Sequence, residues 1–99
     1  MSDVGKKIVI EAFQYSFANA KRDGMTDLDP PMIAEHPFVT ETLVAIKGLS
    51  LADDLSATLS KRADELQKWA ADNRSAPEWA DVCIAMGAIR NAAVTVWQA

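Results

Sequence analysis

The chain has 99 residues, a formal net charge of −4 at neutral pH, 49% hydrophobic and 24% charged residues, and few glycines or prolines. That composition suits one soluble globular domain over residues 1–99 and excludes a disordered or low-complexity chain. The acidic balance, with Lys and Arg interspersed among Asp and Glu, opposes binding to a nucleic-acid backbone, and no apolar run approaches the roughly 18 residues needed to span a membrane.

The first helix is expected from about Asp3 to Arg22, with Ser2 as N-cap, Asp3 in the first turn and Gly24 as the stop. Its apolar set, Ile8, Val9, Ile10, Ala12, Phe13, Tyr15, Phe17 and Ala20, covers more than half of the helical wheel. So wide a stripe implies burial against more than one neighbour, with helix 1 central in the fold or shared with another subunit. Glu11 and Gln14 interrupt the apolar run where the core of a signal peptide would lie, so a cytoplasmic protein is expected.

A connector, "DGMTDLDPPMIAEHP", follows, in which Asp29 can cap a short turn begun by Pro30 and Pro31. The second helix begins near Pro37, presents Phe38, Val39, Thr42, Leu43 and Ile46 on one face, and stops before Gly48. Ser50 and Asp53 suggest a capping box for helix 3, which continues to about Asp72 with Leu51, Leu55, Leu59, Ala63, Leu66 and Ala70 as its stripe. On its outer side Lys61 with Glu65 and Asp64 with Lys68 are opposite charges one turn apart. Ser75, Pro77 and Glu78 supply the start of helix 4, expected from about Ala76 to the end. The sum is an all-α fold: a small bundle of three long helices and one short one.

Chemistry finds little purchase in this pattern. The one histidine, His36, stands beside Glu35 with no nucleophile placed near it by sequence, so loop packing or helix capping is the expected role. His36 and the single cysteine, Cys83, belong to no ligand-spaced motif, so no metal is assigned. Cys83 lies on an apolar helical face and reads as a buried thiol. Gly24 and Gly48 end helices and Gly87 lies within one, leaving no phosphate-cradling loop, and no cofactor is implied.

Arg90 is the sharper feature. On the wheel it falls between Met86 and Ala93 on one side and Cys83 and Val94 on the other, with Trp79 and Trp97 on the same face. Burying an unpaired arginine costs several kcal/mol, so that face must offer a carboxylate, backbone carbonyls, an aromatic plane or a ligand anion; the expected role is a salt bridge to another helix or snorkelling past Trp97 to water, then a subunit contact, then an anionic ligand. Arg62 poses the same question at the edge of the helix 3 stripe; if the two arginines met, they would favour an anion between them. Trp97 serves as core or interface anchor, Trp69 and Trp79 read as core, and Tyr15 places its hydroxyl at a polar rim. Arg90, Trp97, Arg62, Tyr15 and Trp69 are therefore the candidate ligand or interface residues.

These features point to a non-enzymatic helical protein that forms homo-oligomers and binds or inhibits a protein partner. The alternative is a small-molecule binder, holding a nucleotide-like anion in an arginine-lined pocket between helices or subunits.

Overall fold

A computed structural model describes residues 3–98. Four α-helices follow one another in the chain: α1 (Asp3–Arg22), α2 (Pro37–Ala45), α3 (Ala52–Asp72) and α4 (Trp79–Thr95). A 3-10 turn, Pro30–Glu35, precedes α2, and another, Val96–Gln98, continues α4. No strand occurs among the described residues, and the fold is the expected helical bundle. None of its helices is long and apolar enough, over those residues, to cross a membrane.

Helix α4 is the central element, packed against α3 on one side and α1 on the other. The width of its apolar stripe led to the expectation that α1 is either central or shared with another subunit. Side-chain size instead puts α4 at the centre. Ala85, Ala88, Ala92 and Ala93 are buried on α4, and small side chains let two neighbours approach one helix closely. The α1 stripe is consumed within the chain: Ile8, Val9, Ala12, Phe13, Phe17 and Ala20 are buried under α4, α2 and the first 3-10 turn, whose Ile33 enters the core. Phe13 and Phe17 stack one turn apart with ring centroids 6.3 Å apart. Ile10 is only half-buried, and Tyr15 lies outside the stripe, 65% exposed.

Helix α1 ends as its glycine dictates. Gly24 adopts φ 75°, the Met25 amide donates to Ala20 O at 2.8 Å, and the Gly24 amide donates to Lys21 O at 3.0 Å. These two bonds form a Schellman motif that satisfies carbonyls the helix leaves free. The expected Ser2 cap lies outside the described residues. Asp29 sits at the start of the 3-10 turn without a side-chain cap bond, because its carboxylate pairs with Lys21 on α1. At α2, Pro37 occupies the first turn and His36 Nδ1 accepts the Phe38 amide at 3.2 Å, so the histidine is a helix cap.

Two helix starts differ from expectation. Leu51, not Ser50, is the N-cap of α3 and makes no side-chain cap bond; Asp53 and Asp54 instead place negative charge in the first turn. Leu51 is consequently 65% exposed and leaves the stripe. Helix α4 begins at Trp79, three residues late, because the Ala76 amide bonds Asn73 O and the Trp79 amide bonds Ala76 O. These tight turns satisfy the backbone around Ser75 and Pro77 without a helix, and no side chain caps the start.

Candidate functional site

The two arginines are placed by their helices in different surroundings. Arg62 reaches across to α2, where its Nε donates to Thr42 Oγ1 at 2.7 Å and its Nη2 to Glu41 Oε2 at 3.2 Å. Thr42 is fully buried and donates in turn to Phe38 O at 2.6 Å. The guanidinium is held on the scaffold itself, with its side chain 18% exposed. Arg90 lies between α4 and α3: its Nη2 donates to Asp64 Oδ1 at 2.9 Å and to Gln67 Oε1 at 2.6 Å. Asp64 thus turns to Arg90 across the helices, and neither it and Lys68 nor Lys61 and Glu65 close to ion-pair distance.

The arginines do not share a pocket. At about 100° per residue, the partners of Arg90 on α3 lie roughly 140° to 200° around the helix from Arg62. Arg62 therefore borders the α2 side of α3, and Arg90 covers the opposite flank. The buried or interfacial ion pair expected at Arg90 is, within this chain, a pair to Asp64 with the arginine side chain 43% accessible, so the pairing itself contributes little to stability.

The tryptophans sit further out than the wheel suggests. Trp69 and Trp79 are 36% and 37% exposed, not core. They close the α3–α4 corner: the Trp79 indole donates to Ala70 O at 3.1 Å, and Asn73 Nδ2 donates to Trp69 O at 2.8 Å. Both bonds satisfy carbonyls at the end of α3, and the first holds the Trp79 ring at the junction. Trp97 is 57% exposed on the final 3-10 turn. Cys83, expected as a buried thiol, is half-buried.

Two surface depressions lie at the end of the bundle where α3 begins and α4 ends. One is lined by Val4, Ile8, Leu51, Leu55 and Val96, among others; the second by Ser56, Ser60, Arg90, Ala93, Val94 and Trp97. The structure thus joins Arg90 and Trp97 in one place and leaves Arg62, Tyr15 and Trp69 elsewhere. Ser56 and Ser60 were not singled out from the sequence. Their spacing, one turn apart beside the α3 stripe, was visible there, but the antiparallel register that brings them to Trp97 was not. Among the described residues, no three His, Cys, Asp or Glu side chains gather as a metal site. The chain matches no protein-family model, no curated protein and no solved structure.

Proposed function

We propose that this chain acts without chemistry of its own, as a helical module that self-associates and binds, or by binding inhibits, another protein. The observation that carries the reading is the apolar surface at one end of the bundle. Val4, Leu51, Val94 and Trp97, from α1, the entry to α3, α4 and its 3-10 extension, are each more than half exposed. Exposed apolar side chains at one end of a bundle, with an aromatic ring among them, favour contact with another macromolecule. The α1 stripe offers no such support, since it is already buried within the chain.

Native mass spectrometry and sedimentation of the purified chain test the reading. The expected result is an oligomer that dissociates in a Val4→Glu, Leu51→Glu double variant while helicity is retained. A chain that is monomeric at every concentration and captures no protein from its host extract would overturn it.

A further inference from the structure

Helices α3 and α4 run antiparallel: Ala70 meets Trp79, Gln67 and Asp64 meet Arg90, and Ser56 and Ser60 border the depression with Val94 and Trp97. Ser56 and Ser60 stand one turn apart on α3, and Arg90, Ala93, Val94 and Trp97 recur at three to four residues along one face of α4. Both sets line one depression of about 250 Å³.

Its chemistry is one-sided. Asp64 and Gln67 engage Nη2 of Arg90, which orients the guanidinium and leaves the N–H groups at Nε and Nη1. Among the described residues, these groups, the hydroxyls of Ser56 and Ser60 and the Trp97 indole N–H have no protein hydrogen-bond partner, and no carboxylate lines the depression. Asp64 balances the charge of Arg90 through Nη2, so it is the remaining guanidinium N–H groups, grouped with the hydroxyls and the indole, that select an acceptor, and a carboxylate forms the strongest bonds with such a set. Val94 and Trp97 add an apolar wall beside it. Size narrows the choice: sites that enclose small molecules typically hold about 300–1,000 Å³, so this smaller, open depression admits one side chain or one chain end.

The geometry points to a docking point for a carboxylate carried beside an apolar residue on a peptide segment of a partner protein. The inference rests on the protein-binding reading above and names the chemistry at its centre. Arg90 supplies charge-assisted hydrogen bonds, Ser56 and Ser60 supply hydroxyl donors, and the neighbouring apolar residue packs on Trp97.

The test is nuclear magnetic resonance of the full isotope-labelled chain, following the Arg90 Nε–H and Trp97 indole N–H signals. The probes are acetyl-Ala-Ala-Leu-Phe with a free C-terminal carboxylate, the same peptide as its amide, and acetyl-Ala-Leu-Glu-Ala-amide. At least one carboxylate peptide is expected to move both signals to saturation with a Kd at or below about 1 mM, and the first peptide's amide is not. Binding of the free acid assigns the site to a chain terminus, and binding of the Glu peptide to an acidic side chain. Arg90→Gln is expected to weaken the interaction at least about tenfold. The Ser56→Ala, Ser60→Ala double variant, which leaves the ion pair intact, should weaken it as well and keeps the test open if Arg90→Gln unfolds. Silence of both signals with both carboxylate peptides, equal binding of the amide, or unchanged binding by the folded variants would overturn the proposal. If the chain still assembles or captures a partner under those outcomes, the protein-binding reading stands and this site alone falls.

Discussion

Thr42→Val isolates what the tie between α2 and α3 contributes. The substitution keeps the shape of a fully buried side chain but removes an oxygen that accepts from Arg62 Nε at 2.7 Å and donates to Phe38 O at 2.6 Å. Hydrogen bonds to charged groups contribute about 1.5–3 kcal/mol, and the methyl that replaces the hydroxyl returns up to about 0.8 kcal/mol on burial. Arg62 can recover part of the loss because its side chain is 18% exposed, so the net destabilisation should be about 1–2 kcal/mol. Urea unfolding followed by circular dichroism reads this as a lower midpoint at unchanged slope, and heating as a fall in Tm of about 4–8 °C per kcal/mol. The decisive measurement is a double-mutant cycle with Arg62→Met, which should give a coupling of about 1–2 kcal/mol. Glu41 is 67% exposed, so Glu41→Gln should change stability by less than about 1 kcal/mol. A coupling below about 0.5 kcal/mol would refute the reasoning, because Thr42 and Arg62 would then contribute independently.

The glycines make opposed predictions. Gly87 lies mid-helix with open space around its Cβ position, so Gly87→Ala should stabilise the chain by up to about 1 kcal/mol. Gly48 adopts φ 84°, where a side chain is strained, and Gly48→Ala should cost about 1 kcal/mol or more; urea midpoints moving in the same direction for both would contradict the backbone assignment. Removing the His36 cap with His36→Ala should cost about 1 kcal/mol, and His36→Asn, which can still accept the Phe38 amide, should recover most of it in thermal melts.

Local chemistry wrote the helices into the sequence. Apolar residues at three and four spacing gave the long stripes of α1 and α3, Pro37 opened α2, and Gly24 and Gly48 closed α1 and α2, because each of these signals acts within one or two turns. The start of α4 was less legible: Ser75, Pro77 and Glu78 satisfy a capping pattern equally well as a run of tight turns, and the Trp79 indole settles the matter from a distance by bonding Ala70 O.

Tertiary structure decided everything that depends on two helices at once. A wheel shows that Arg90 interrupts an apolar face, but its Asp64 and Gln67 partners, one turn apart on a different helix, follow only from the antiparallel register. The same register separates Arg62 from Arg90 and sets two serines opposite Trp97. Which helix lies at the centre was also a tertiary outcome. Stripe width left α1 either central or shared with another subunit, yet the small side chains of α4 let α1 and α3 close on it from both sides, since packing distance depends on the volumes of both partners.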